Sequence, residues 1–321
     1  MTTSASEERE IRDRIGISIG NPSAPALLDT IREAEAAGVA QVWMTQNPRI
    51  IDALTFYAAA ISQTSRIRLG TSIVPTYPRH PLVMAQQAAT VDALGPGRLR
   101  LGIGPSHKPI IEPIYGIPMS EPLTHLDEYV TIVRAALHDG AVDFSGKYLT
   151  AKLSSAPTAH VPVLVSALGE QAFRHAGQHA DGAISWNCPI PYLRDVALPA
   201  LHNGAAQAGR PRPTLVAHFW ISLSTDRDAV RAAMRKGLEY YPTLPFYAKM
   251  FAAAGYPVPQ GGGVSDELAD ALVIAGTEEQ IREQIRELLD QGIDELLLTS
   301  AAVGDAAQEQ SRLFQLIGSI A

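Results

Sequence analysis

The sequence predicts an α/β chain folded as a closed (β/α)8 TIM barrel, with an insertion after strand seven. Two observations carry this. Eight short apolar runs alternate with helical patterns along 321 residues. Several of those runs are apolar at successive rather than alternate positions, as parallel strands covered on both faces are. A chain of this length also suits one α/β barrel. An open doubly wound sheet is the alternative, because alternation alone does not show closure.

The elements follow in order. Residues 1–13 are polar and read as a flexible tail, leaving 14–321 as a single domain. The eight runs are RIGISI (14–19), AQVWM (40–44), IRLGTSIV (67–74), RLRLGIG (98–104), VPVLVS (161–166), GAISW (182–186), TLVAHFWISL (214–223) and DELLLTS (294–300). Among the helices, APALLDTIREAEAAG sets Leu28 and Ile31 on one face and stops at Gly38. HPLVMAQQAATVDAL and PLTHLDEYVTIVRAALHDG behave alike. In TEEQIREQIRELLDQG, Thr277 and Gln280 fit a capping box, Ile281, Ile285, Leu288 and Leu289 form an apolar stripe, and Gly292 ends it. Two stretches depart from the repeat. Residues 142–160 hold Ser145-Gly146 between β-formers and read as a small hairpin. The insertion, about 238–276, is rich in Tyr, Phe, Pro and Gly.

Composition narrows the function. Hydrophobic residues at 46% and charged ones at 18% indicate a large core. A net charge of −7 argues against a nucleic-acid partner. No apolar run approaches a membrane span, and the polar start lacks a signal core, so a cytoplasmic protein is expected. The single cysteine, Cys188, leaves no internal disulfide.

A TIM barrel carries its chemistry at the carboxyl ends of its strands. Here those ends read Trp43-Met44-Thr45-Gln46-Asn47, Thr71-Ser72-Ile73-Val74, Gly102-Ile103-Gly104-Pro105-Ser106-His107, Ser166-Ala167-Leu168-Gly169 and Ser185-Trp186-Asn187-Cys188. They offer hydroxyls, amides, aromatics and exposed backbone, with no cluster of carboxylates. That set suits a planar, oxygen-rich cofactor better than hydrolysis or a divalent metal. SALGEQ enters a helix through a glycine, so its backbone N–H groups either receive a phosphate or form an ordinary turn.

Other motifs are weaker. Gly102-Ile103-Gly104 begins a dinucleotide fingerprint, but His107 stands at the third glycine. HAGQH spaces His175 and His179 as in a zinc protease, but Ala176 replaces the glutamate, so two polar helix residues and no metal are expected. Cys188 is expected to be a packed, inert thiol. His107, on the loop after strand four, is the candidate catalytic proton carrier. Tyr240, Tyr241, Phe246, Tyr247, Phe251 and Tyr256 either pack the insertion or cover a reacting ring from water, or both.

SRIRLGTSIVPTYPRHPLVMAQQAATVDALGPGRLRLGIGPS (65–106) resembles the signature of the bacterial-luciferase-like superfamily, most closely its branch that uses the deazaflavin coenzyme F420. AGVAQVWMTQ (37–46), VPVLVSALGEQAFRHAGQHADGAISW (161–186) and GTEEQIREQIRELLDQGIDELLL (276–298) extend the likeness to nearly the whole chain. The resemblance implies an oxidoreductase that moves a hydride between the deazaflavin C5 and a small organic substrate, as a homodimer. It implies a non-proline cis peptide at Ser72-Ile73, in a bulge with Thr71 beneath the middle ring, with Pro75, Pro78 and Pro81 as the stiff connector beyond. It places Thr45 and Gln46 at the ring's polar edge, Gly104 and Ser106 under the cofactor, and Ser166, Ala167, Leu168 and Gly169 at its phosphate. Leu168 departs from a glycine common there.

Two alternatives stand beside this reading: an FMN-dependent monooxygenase of the same superfamily, and a barrel that binds a flavin or deazaflavin without turnover. Related dehydrogenases often carry Asp-His after strand two and a glutamate after strand four. This chain has Gln46-Asn47 and Pro105. Either His107 moves the proton, or hydride delivery from a well-placed cofactor needs little else.

Overall fold

The computed structural model describes residues 11–20 and 23–320. Eight parallel strands form the barrel: Ile15–Ser18, Gln41–Met44, Arg68–Thr71, Leu99–Gly104, Val163–Ser166, Gly182–Ser185, Thr214–Ser222 and Glu295–Ser300. They are strands one to eight below. Strand one pairs with two and eight, and strand seven with six and eight. The ring therefore closes, and the open sheet is ruled out. Each strand comes from one of the eight apolar runs, and most of its residues are buried because helices cover the outside while side chains fill the inside.

The outer helices start and stop on local signals. Asp52 caps Ala53–Ile61 by accepting the Thr55 N–H at 2.9 Å. The expected capping box is present on Glu278–Asp290: Gln280 N–H donates to Thr277 Oγ1 at 3.3 Å, and Thr277 N–H to Gln280 Oε1 at 2.9 Å. Ala24–Ala36 ends before Gly38, whose φ of 92° suits glycine. Among the described residues no helix is long and apolar enough to cross a membrane.

Residues 11–13 correct one expectation. Assigned to a loose tail, they instead open a 3₁₀ turn, Ile11–Arg14. Arg14 ties that turn to the segment before strand eight, donating to the Asp294 and Ile293 carbonyls at 2.8 and 2.6 Å. The rest of the expected tail lies outside the described residues.

The hairpin forms from Val142–Ser145 and Thr150–Leu153. Glu128 holds its turn by accepting the N–H groups of Lys147, Tyr148 and Leu149 at 2.6, 2.9 and 2.9 Å. Strand seven is followed by helix Arg227–Leu238 and then the insertion, which holds helices Pro245–Ala253 and Asp266–Ala271 and a short strand, Val273–Ala275. That strand pairs with Trp220, Ile221 and Ser222 of strand seven, so the far end of the insertion belongs to the sheet.

Inside the barrel Trp43 packs with Leu164, Ile184, Val216 and Leu297. Gly16 and Gly70 make room for its indole. A Cβ at Gly16 would lie 2.3 Å from Trp43 Nε1, and one at Gly70 2.4 Å from Trp43 Cδ2. Below the indole, toward the amino ends of the strands, sits a buried polar plug. Arg100 pairs with Glu295 and donates to Gln41 Oε1 at 3.0 Å, and Gln41 Nε2 donates to Glu295 at 3.1 Å. The Arg100 guanidinium lies 5.1 Å from the centre of the Trp43 ring. A cavity of about 210 Å³ touching Arg68, Arg100, Asp181 and Glu295 opens beside this plug. It lies at the opposite end from the strand termini that carry the chemistry.

Candidate functional site

The site begins with a break in strand three. Leu69 and Gly70 pair with Leu99 and Arg100 of strand four, and pairing resumes with Val74 opposite Ile103 and Pro75 opposite Gly104. Strand three thus carries one extra residue, a bulge. The Ser72–Ile73 peptide within it is cis. Thr71 repairs the ladder: its hydroxyl donates to the Gly102 carbonyl at 2.7 Å and accepts the Gly102 N–H at 2.8 Å. Strand two holds the other side. Ser72 N–H donates to the Met44 carbonyl at 2.8 Å, Thr45 Oγ1 to the Ser72 carbonyl at 3.0 Å, and Gln46 N–H to the Ile73 carbonyl at 3.2 Å. Fixed from both sides, the bulge leaves two buried hydroxyls, Ser72 Oγ and Thr76 Oγ1, without a hydrogen-bond partner among the described residues.

The residues singled out in the sequence gather at this end of the barrel, but they divide by what their side chains do. Thr71 spends its hydroxyl between strands three and four. Gln46 spends its amide on helix Ala53–Ile61: Nε2 donates to Asp52 Oδ2 at 3.0 Å and Oε1 accepts the Ala53 N–H at 2.7 Å. Asp52 also accepts from Arg79 at 2.5 Å. Burial pulls its pKa up, but the bonds from Thr55 and Arg79 outweigh that and hold it below the usual carboxylate range.

Gly104 sits against strand five, where an added Cβ would lie 2.1 Å from Ser166 Oγ. Ser106 is left-handed, with φ 63°. Ala167 is buried and Leu168 half-buried, and Leu168 takes no positive φ, so it stands in place of glycine without backbone strain. Gly169 caps helix Glu170–His179 with no side-chain bond, and an added Cβ there would meet nothing within 4 Å. The first N–H groups of that helix are therefore approachable by an anion.

His107 stands half-buried before helix Lys108–Tyr115, a short element that the periodicity did not announce. Its ring lies 6.4 and 6.0 Å from those of Tyr240 and Tyr247, which joins the strand-four loop to the insertion. Burial lowers its pKa below the ordinary histidine value, so the neutral imidazole is favoured. Cys188 is buried, and burial pushes its thiol up to about 12, which makes it unreactive as expected.

Sequence reasoning missed His218. It is fully buried in strand seven, stacks on Trp186 at 3.7 Å, and shares a 2.8 Å hydrogen bond with Thr299 Oγ1. Trp186 Nε1 donates to the Tyr241 hydroxyl at 2.7 Å, and Trp220 Nε1 to Asn187 Oδ1 at 2.9 Å. Strands six, seven and eight and the insertion thus share one aromatic wall. His218 Nδ1 and Asn187 Nδ2 in this wall are buried without partners among the described residues. The available signal was a histidine inside the otherwise apolar run TLVAHFWISL.

Burial pushes the His218 pKa down to about 3. Below a pH of about 6.5 the unfolded chain therefore charges this ring while the folded chain does not. Stability should fall with acid across that window, by about 1.4 kcal/mol per pH unit from this group. His218→Gln is expected to flatten the dependence of unfolding free energy on pH between about 6 and 5 by one proton. An unchanged slope would refute a neutral, buried His218.

A family model described as luciferase-like monooxygenase matches residues 9–295. An F420-dependent glucose-6-phosphate dehydrogenase of Intrasporangium calvum is 31% identical over 273 residues, spanning 80% of this chain and 81% of that protein. A 5,10-methylenetetrahydromethanopterin reductase of Methanolobus tindarius is 26% identical over 303 residues, spanning 87% and 92%. A solved F420-dependent secondary alcohol dehydrogenase, in complex with an F420–acetone adduct, superposes with a TM-score of 0.78 at 22% identity, covering 96% of this chain and 98% of that one. That last likeness speaks to the fold.

Proposed function

Because the chain belongs to the luciferase-like monooxygenase family, we propose that it is a coenzyme F420-dependent oxidoreductase acting on a small organic substrate. The observation that carries this reading is the strand-three bulge, fixed from both sides, with two buried, unpartnered hydroxyls at Ser72 and Thr76, together with the helix start after strand five that no side chain caps. A planar polar ring with a phosphate-bearing tail fits that combination. A relative that is itself named for F420 supports the same choice.

In this reading Ser72 and Ile73 support the ring, Gly104 and Ser106 lie beside it, and Ser166, Ala167, Leu168 and Gly169 hold the phosphate. Thr45, Gln46 and Thr71 act indirectly, by fixing the bulge. When bound, the deazaflavin supplies a hydride donor or acceptor at C5. The aromatic wall of Trp186, Trp220, Tyr241 and Tyr247 excludes water from the reacting face. His107, held neutral by burial, is placed to take up the proton released when a hydroxyl is oxidised and to return it in the reverse reaction. Gln46-Asn47 and Pro105 replace the acid and base of related dehydrogenases, so a sugar phosphate is not carried over as substrate. The reading includes a two-fold homodimer in the cytoplasm, and light scattering on the purified chain tests the dimer.

Paired fluorescence titrations with coenzyme F420 and with flavin mononucleotide test the cofactor. Preference for the deazaflavin supports the proposal; preference for flavin mononucleotide would move the chain to the oxygen-using branch. Once a substrate is found, His107→Gln should lower kcat by about 10²-fold or more. It should also remove the fall in activity on the acid side, where the wild-type imidazole becomes protonated. An unchanged acid limb would exclude His107 as the base.

A further inference from the structure

Outside the barrel, helix Pro122–Arg134 packs beside helix Glu170–His179. His175 and His179 lie one turn apart on the second helix, with ring centres 6.2 Å apart. Asp127, on the first helix, reaches His175 with Oδ2 2.6 Å from Nδ1. One nitrogen from each imidazole and one Asp127 oxygen all lie within 4.8 Å of one another.

We propose that Asp127, His175 and His179 form a site for one divalent transition-metal ion, of the Zn²⁺ or Co²⁺ type, clipping these two outer helices together. Two imidazoles with one carboxylate suit such borderline cations, whereas Mg²⁺ and Ca²⁺ favour all-oxygen sets. Partial exposure of all three side chains leaves water to complete the coordination. An Asp–His hydrogen bond alone accounts for two of the groups and not for the third. Among the described residues His179 makes no side-chain hydrogen bond, yet it converges on the same point.

The surrounding charge permits a cation. Arg134 and Arg210 flank the cluster, and both pair with Asp181. With Asp127 the carboxylates equal the guanidiniums in number, so an incoming dication meets no net positive field. HAGQH was set aside as a metal motif because it lacks the protease glutamate. The fold supplies a different third group, from a residue 48 positions away.

The test uses the full chain without an affinity tag, freed of metal by a chelator. Co²⁺ is titrated in while visible absorption is followed, and Zn²⁺ is then used to displace it. One equivalent of Co²⁺ should saturate the signal, and Zn²⁺ should raise the melting temperature. His179→Ala and Asp127→Asn should each weaken Co²⁺ binding at least about tenfold, while the metal-free chains melt as wild type does. Absence of saturable binding would overturn the proposal, as would binding that both substitutions leave unchanged. The site lies away from the barrel mouth, so this outcome is independent of the cofactor titrations.

Discussion

Gly102→Ala is expected to destabilise the fold by about 3 kcal/mol or more. The added Cβ would lie 1.9 Å from the Thr71 carbonyl oxygen. That carbonyl has nowhere to go. The Thr71 hydroxyl is bonded twice to Gly102, and the next residue is bonded to strand two. Relief therefore means opening the bulge, and binding of a deazaflavin should weaken together with stability. Denaturant unfolding measures the first effect and fluorescence titration the second. Gly169→Ala is the contrast: its added methyl meets nothing within 4 Å, so it should change stability by less than about 0.5 kcal/mol. If the two variants unfold alike, the close approach of strands three and four is not what fixes the bulge.

The second large effect lies at the other end of the barrel. Arg100→Met should cost about 3 kcal/mol, because it removes the guanidinium that pairs with the buried Glu295 carboxylate. Glu295 is 1% exposed and Arg100 8% exposed, and the adjoining cavity sets how much water can take the place of the lost partner. Pairing the change with Glu295→Leu should recover part of the loss, since no buried carboxylate then remains, while the buried Gln41 amide still loses its bonds to both groups. A single variant within about 1 kcal/mol of wild type would show that the plug is hydrated. The same measurement on the double variant separates loss of the ion pair from loss of packing against Trp43.

The elements written in local pattern were legible before the fold was known. Buried parallel strands announce themselves by continuous apolar runs, Thr277 and Gln280 by their spacing, and the hairpin by Ser145-Gly146 between β-formers. Partnerships across the chain were not. Trp186 and Tyr241 are 55 residues apart, and no local signal joins them. Gln46 and Thr71 illustrate a second limit. The resemblance sets Gln46 at the edge of a bound ring and Thr71 beneath it, but it does not reveal which neighbours their side chains bond within the chain. Here the Gln46 amide bonds to Asp52 and Ala53, and the Thr71 hydroxyl to Gly102. His218 was hidden differently, since one polar residue in a strong apolar run leaves the strand pattern intact. The turn at Ile11–Arg14 rests on contacts with Asp294 and Ile293 that the polar N-terminal segment gives no reason to expect.

Trp43 and its two glycines bear on descent as well as on packing. The indole occupies the space that side chains at positions 16 and 70 would otherwise fill. The three positions therefore form one heritable unit, and the order of change within it is constrained. A lineage must first lose the tryptophan before either glycine can gain a side chain, and the intermediate carries a void that costs about 3–5 kcal/mol. Reversion is blocked once a glycine has been replaced. The floor of the barrel should thus diversify by rare coupled steps at positions 16, 43 and 70.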